Sequence, residues 1–272
     1  MNRIQERFQR LATSSTPAFI PYITAGDPTL DATAQLILEL ERVGADIIEL
    51  GVPFSDPVAD GVVNQEAAQR ALQHNVSLHD VVAMVKNVRR RCQVPLVLFT
   101  YFNPVLAYGL EQFAEEAAAA GVDGVLCVDL PPEESQEYKR LLDARGIATI
   151  FLISPTSTNA RIELIARHCS GFVYYVSRTG VTGERREVEQ TVRAMVQRIK
   201  QHTDTPVAVG FGISTPDQAA EVAGYADGVI VGSAIVRLIG EIGNNPGWVP
   251  KVGKFVQSLV DATKTKGASC RT

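Results

Sequence analysis

Apolar residues along the chain switch repeatedly between two periods, and the switches divide it into alternating short and long segments. Near the N-terminus Ile4, Phe8 and Leu11 recur at i, i+4 and i+7. That spacing marks one face of a helix, expected to lie like a lid over one end of a core. The short segments that follow are continuous apolar runs with many β-branched residues, the pattern of strands buried on both faces. Eight are predicted, at 18–23, 46–50, 95–100, 124–128, 148–153, 172–176, 206–209 and 228–231. Between them lie helical patterns at 30–43, 62–74, 78–91, 110–120, 133–145, 159–168, 188–201 and 215–223, and two more follow at 233–242 and 248–263. A polar tail, 264–272, carries no apolar stripe and is expected to fray.

Short apolar strands alternating with helices over roughly 250 residues predict an α/β fold of the (β/α)8 TIM-barrel type, with an extra N-terminal helix and short extra helices near strand eight. The alternative on the same pattern is a doubly wound sheet. Three segments echo one another where a helix ends and a strand begins: Gly44-Ala-Asp-Ile-Ile, Gly121-Val-Asp-Gly-Val and Tyr225-Ala-Asp-Gly-Val. Repeated βα units favour closure of a barrel. No linker interrupts the alternation, so residues 1–272 are read as one domain.

Composition narrows the class without changing this picture. The chain is 46% hydrophobic and 21% charged with a net charge of −4, so it can bury a large core and offers no basic footprint for nucleic acid or an anionic membrane. Cys92, Cys127, Cys169 and Cys270 follow no metal or disulfide spacing, which points to reduced thiols in a cytosolic protein. No run reaches the ~18 apolar residues of a membrane span, and the first residues carry no export signal.

A barrel carries its chemistry at the C-terminal ends of its strands. The second strand bears Glu49 in an otherwise apolar run. Strand alternation puts Ile47 and Glu49 on one face and Ile48 and Leu50 on the other. Gly51 and Pro53 end the strand, and the loop beyond carries Ser55, Asp56 and Asp60 before Gly61. Two carboxylates eleven residues apart at a strand end suit proton transfer. The bland alternative is a salt bridge for Glu49 and turn-capping aspartates. Gly210-Phe211-Gly212 after strand seven and Gly232-Ser233 at the start of a helix after strand eight suit a phosphate held by backbone amides; the alternative is plain turn glycines and an N-cap serine. The polar loop 177–186 contains Gly180, Thr182 and Gly183 and has the make-up of a mobile lid.

Other chemistries lack their residues. His74, His79, His168 and His202 fall on or beside helices, away from the strand ends, so no metal cluster or histidine base is expected. The lysines fall in helices or the tail, against a Schiff-base aldolase, and neither a GxGxxG turn nor a GxxxxGK loop occurs. What remains is carboxylate chemistry on an organic phosphate.

The run IELGVPFSDPVADG, with PYITAGDP before it, RTGVTGE in loop six, GFGIS after strand seven and VGSAIV after strand eight, closely resembles the tryptophan synthase alpha chain family over nearly the whole chain. The resemblance implies a TIM-barrel lyase that cleaves indole-3-glycerol phosphate to indole and glyceraldehyde 3-phosphate. It implies no cofactor in this chain, a beta chain partner that carries pyridoxal phosphate, an α2β2 tetramer, and a cytoplasmic or plastid-stroma setting. Residue by residue, it implies Glu49 and Asp60 as the catalytic pair, and Gly183, Gly212, Gly232 and Ser233 as phosphate-binding. Tyr22, Phe99, Tyr101, Leu126, Asp129, Tyr174 and Phe211 would line the indole pocket, and Arg178 and Thr182 belong to the lid. Pro53, Phe54, Asp56, Pro57 and Asn103 would form a stiff outward surface for the beta chain. Two rivals stay open on the same barrel: a phosphosugar isomerase or epimerase, and a non-enzymatic regulatory or indole-channelling subunit.

Overall fold

A computed structural model describes residues 2–177, 185–210, 212–243 and 245–269. Every strand pairing within them is parallel. The strands are β1 (Ala18–Thr24), β2 (Ile48–Gly51), β3 (Leu96–Thr100), β4 (Gly124–Cys127), β5 (Ala148–Ile150), β6 (Leu152–Ile153), β7 (Val173–Val176), β8 (Val207–Gly210) and β9 (Gly228–Val231). Their order in the sheet is β5-β4-β3-β2-β1-β9-β8-β7-β6. The two ends of that order, β5 and β6, are one predicted strand broken only at Phe151, so the sheet curls round until its ends meet. Phe151 keeps the ladder in place across the break, since its carbonyl accepts the Tyr174 N–H at 3.2 Å. The barrel prediction therefore holds, and the doubly wound alternative does not.

Alternation along these strands builds two apolar layers. Ile48 and Leu50 face outward with Phe19, Leu96, Leu98, Val125, Val207 and Val229, and the surrounding helices cover them. Ile20, Ile47, Val97, Leu126, Ile150, Tyr174 and Ile230 fill the interior. Helix α1 (Arg3–Thr13) closes the N-terminal end, as the i, i+4 spacing predicts: Ile4 is fully buried and Phe8 packs with Phe172 at a ring separation of 6.0 Å. Glycine makes room for this plug, because a Cβ at Gly124 would stand 2.9 Å from Ile4 Cδ1.

The three sequence echoes are one repeated brace. Each aspartate precedes a strand, and its carboxylate accepts an N–H at the start of the neighbouring strand. Asp46 takes Phe19 N, Asp123 takes Leu96 N and Asp227 takes Val207 N, each at 2.9 Å. Cations from outside the barrel complete the braces: Arg7 and Lys264 at Asp46, Arg3 and Arg89 at Asp123, Lys200 at Asp227.

Two expectations need correcting. Of the tail predicted to fray, 264–269 continue the last helix, α12 (Trp248–Ser269), and 270–272 lie outside the described residues. Val252, Val256, Leu259, Val260 and Thr263 form its buried stripe, and Lys264 Nζ donates to the Gly44 carbonyl at 3.0 Å. The segment after β3, read as loop, holds a helix of seven residues, α5 (Phe102–Tyr108), begun directly from the strand with Tyr101 as its N-cap.

Candidate active site

The barrel axis ends in a cavity of ≈ 170 Å³ at the C-terminal ends of the strands. Its wall takes Tyr22 from β1, Phe99 from β3, Tyr174 and Val176 from β7 and Ile230 from β9, with Val128 and Leu152 between them. All occupy inward positions of the strand alternation. Tyr22 meets Phe99 edge-on at 5.3 Å. Both tyrosines lean toward a glycine on the neighbouring strand: a Cβ at Gly51 would collide with the Tyr22 hydroxyl, and one at Gly210 with that of Tyr174. Burial raises both phenols above their usual range, so they stay neutral.

Glu49 pairs with Tyr22 across β1 and β2 and with Val97 across β2 and β3. It is completely buried, and neither carboxylate oxygen has a hydrogen-bond partner in the protein. Ionising it there means placing a charge among apolar groups without compensation, so burial pushes its pKa up to about 8. Glu49 is therefore a protonated acid at neutral pH. No hydrogen bond anchors it, so a rotation toward the cavity breaks none. A structural salt bridge, the bland alternative, does not form.

Asp60 lies on the cavity wall with Ala59, Gly61 and Asn64. A turn sets its position: Asp60 N donates to the Pro57 carbonyl at 3.0 Å, and Gln65 Nε2 donates to the Asp60 carbonyl at 2.9 Å. Gly61 then caps helix α3 (Val62–Leu72). Tyr101 links the loop to the barrel. Its hydroxyl donates to Asp60 Oδ2 at 2.9 Å and accepts the Ala59 N–H at 2.9 Å. Burial raises the Asp60 pKa above the ordinary carboxylate range, while hydrogen bonds from Tyr101 and Asn64 pull it back.

On the opposite side Gly212, Gly232 and Ser233 line the same cavity. Gly212 has φ +75°, a conformation that side-chain-bearing residues rarely adopt. Ser233 begins helix α11 (Ser233–Ile242), whose first-turn amides therefore point at the cavity. Asp60 on one wall and a helix N-terminus on another give the site a proton-transfer end and an anion end, while Glu49 is buried next to Tyr22 and is not part of the cavity lining.

The structure thus brings together Glu49, Asp60, Tyr22, Phe99, Tyr174, Gly212, Gly232 and Ser233, with Tyr101 behind Asp60. Leu126 is fully buried deeper in the barrel interior, off the cavity wall. Asp129 is also off the wall: it is exposed and accepts the Phe102 N–H at 2.8 Å, holding the start of α5. Arg178, Thr182, Gly183 and Phe211 lie outside the described residues. In the loop after β2, Asp56 is exposed, but Pro53 is buried and Phe54 is half-buried, 4.9 Å from the Tyr101 ring. The projecting Phe expected for a docking surface is therefore turned inward. Exposed apolar side chains nearby are instead Val58 at 88% and Leu106 at 51%, and Asn103 is exposed beside them. Asn64, Val128, Leu152, Val176 and Ile230 were not anticipated. The last four were legible as inward strand positions; Asn64, inside a helical stretch without a motif, gave no signal. Among the described residues, no group of three or more His, Cys, Asp or Glu side chains could hold a metal ion.

Comparison with known proteins agrees along nearly the whole chain. The family model described as tryptophan synthase alpha chain matches residues 8–264. The chain is 53% identical over 267 residues to a tryptophan synthase alpha chain from Geobacter sulfurreducens, covering 96% of this chain and 99% of that protein. Among solved structures, tryptophan synthase subunit alpha from Legionella pneumophila superposes with a TM-score of 0.89 at 38% identity, covering 97% of this chain and 98% of that one. A chain of aminoacrylate-bound tryptophan synthase from M. tuberculosis superposes with a TM-score of 0.87 at 34% identity, covering 97% and 100%.

Proposed function

The chain belongs to the tryptophan synthase alpha chain family, and on that basis we propose that Glu49 and Asp60 divide between them the proton transfers of its reaction. The reaction is the retro-aldol cleavage of indole-3-glycerol phosphate to indole and glyceraldehyde 3-phosphate, a carbon–carbon lyase step of tryptophan biosynthesis. Breaking the bond between indole C3 and the glycerol carbon requires a proton on C3, because the ring cannot leave as a carbanion. It also requires loss of the hydroxyl proton on the departing carbon as the aldehyde forms. Glu49 supplies the first proton and, now a carboxylate, takes the second, returning to its starting state. The observation that carries this reading is Glu49 itself, wholly buried and unpartnered, a setting that pushes its pKa up to about 8. Protonation at C3 makes the ring cationic and its N–H acidic. Asp60 balances that charge, accepts the N–H proton and returns it to the ring nitrogen as the carbon–carbon bond breaks, and Tyr101 and Asn64 favour the ionised form it needs.

Gly212, Gly232 and Ser233 bind the phosphate through backbone amides, joined by Gly183. Tyr22, Phe99 and Tyr174, with Phe211, sandwich the ring, and Arg178 and Thr182 belong to the lid that closes over it. The chain partners a tryptophan synthase beta chain, which carries the pyridoxal phosphate and consumes the indole within an α2β2 tetramer. Bacterial relatives support a cytoplasmic setting, and no described helix is long and apolar enough to cross a membrane.

The test is indole release from indole-3-glycerol phosphate by wild type and Glu49→Gln. The amide keeps the shape but cannot cycle a proton, so turnover should fall at least ~10²-fold with substrate binding retained. More than a tenth of wild-type turnover would refute the assignment.

A further inference from the structure

The Asn64 carbonyl oxygen is a polar group at the cavity that the reaction above leaves unused. Asn64 stands in the first turn of α3, four residues beyond Asp60, and lines the same wall. Its Oδ1 is buried and has no hydrogen-bond partner. An ionised carboxylate only accepts hydrogen bonds, so it is through its amide NH2 that Asn64 can lower the Asp60 pKa. That orientation leaves the carbonyl oxygen unsatisfied beside the ring-nitrogen end of the site. A buried acceptor without a donor is costly, and such a group persists where a ligand supplies the missing donor.

We infer that Asn64 is a positioning and specificity residue of this site: its NH2 holds Asp60 and its buried Oδ1 accepts a hydrogen bond from the substrate ring N–H. The inference rests on the proposed role of Asp60. Together the two side chains form a double acceptor for one donor, so the pocket recognises a bicyclic aromatic ring bearing N–H and rejects an isosteric ring that lacks it. Rejection arises because a ring without N–H leaves both acceptors unpaired in a dry cavity. Among the described residues, Tyr101 and Tyr22 interact electrostatically with Asp60, Glu49 acts on Tyr22 and Asp129 on Tyr101. The two tyrosines are neutral, and Glu49 is protonated below about pH 8, so the acid side of the activity profile belongs to Asp60.

The experiment compares wild type with Asn64→Leu, which keeps the volume, and Asn64→Ala, which removes any steric effect of the leucine. Thermal unfolding first establishes that each variant is folded. Direct binding of indole and of benzofuran, in which oxygen replaces N–H, is then measured for each, together with the pH dependence of cleavage. Wild type should prefer indole, and both variants should lose about tenfold of that preference, the effect of one hydrogen bond to a buried partner. Loss of the NH2 donor should also raise the Asp60 pKa, so the acid limb should move to higher pH in both variants. A purely structural role would weaken the two ligands alike and leave the limb in place. If the preference or the limb stays at its wild-type value in both variants, the inference falls. Asp60→Asn, measured alongside, reports separately on the parent reading: near-normal turnover in that variant would remove Asp60 from the mechanism whatever Asn64 does.

Discussion

A carboxyl group buried without a partner couples protonation to folding, and Glu49 is such a group. In the unfolded chain it ionises near ~4.3. In the native state it holds its proton to about pH 8. Between those values the folded protein keeps a proton that the unfolded chain has released, so stability falls as pH rises through the window. The contribution is intact below ~4.3 and is fully lost above about pH 8, on the order of 5 kcal/mol in all. Glutamine does not titrate. Melting temperatures of Glu49→Gln and wild type should therefore diverge in favour of the variant between pH 5 and 8 and run parallel at higher pH. A difference that stays flat across this range would show that Glu49 is ionised in the folded protein. On the proposed mechanism the same proton sets the activity profile. C3 protonation needs the neutral acid, so kcat/KM should decline through a basic limb near pH 8. Asp60 must be ionised, and burial raises its pKa, so the acid limb should lie above the ordinary aspartate range. The two apparent values belong to the coupled site.

At the scale of elements, most of the barrel was legible because strand alternation and helical period are local properties of the chain. Glu49 stood out as a charged residue in an apolar strand, and Asp60 as an acid in the loop that the strand feeds. What stayed hidden depended on contacts distant in sequence. The brace that Asp46, Asp123 and Asp227 form appeared only as a repeated five-residue echo, because its donors, Phe19, Leu96 and Val207, lie 27, 27 and 20 residues away. Helix α5 escaped because it starts from β3 with no intervening turn and carries Pro104 in its first turn, where a proline costs no intrahelical bond. The C-terminal extension of α12 escaped because Lys264 and Thr263 look like tail chemistry until Gly44 and Asp46 are placed beside them. The phosphate end shows what an element contributes as a unit. On the proposed binding mode the phosphate is held by backbone amides at the start of α11, so losing one hydroxyl should matter less than obstructing the approach. Ser233→Ala should weaken glycerol phosphate binding only a few-fold. Gly212→Val forces a β-branched residue into φ +75° and crowds the cavity, so it should weaken binding at least ~tenfold. Calorimetry with glycerol phosphate and with indole checks both. Indole affinity should stay near wild type in each, and an equal loss for the two ligands would mean that these residues shape the whole pocket.

For the molecule as a whole, the question is how a beta chain docked outside the barrel reaches the carboxylates inside it. Val58 and Leu106 are large exposed apolar side chains on the catalytic face, one in the loop that carries Asp60 and the other on α5. Exposed apolar groups beside Asp56 and Asn103 suit a protein contact with a polar rim. Tyr101 connects both elements to the chemistry. It caps the start of α5, its ring packs against Phe54, and its hydroxyl holds the Ala59 N–H and Asp60 Oδ2. A partner that presses on the loop after β2 and on α5 therefore bears on Asp60 through one side chain. Docking that favours the arrangement holding Asp60 in place should raise cleavage, and by reciprocity a bound ligand should tighten the complex. Titrating purified beta chain into the cleavage assay separates surface from link. Leu106→Ser and Val58→Ser should keep their basal rate and require about tenfold more beta chain for half-maximal stimulation, because each loses buried apolar area. Tyr101→Phe keeps the ring and its contact with Phe54 but loses both hydrogen bonds. It should bind beta chain at nearly wild-type affinity and respond with less stimulation. If Tyr101→Phe is stimulated as fully as wild type, the coupling does not run through Tyr101. If the two surface variants titrate as wild type does, the beta chain docks elsewhere on the barrel.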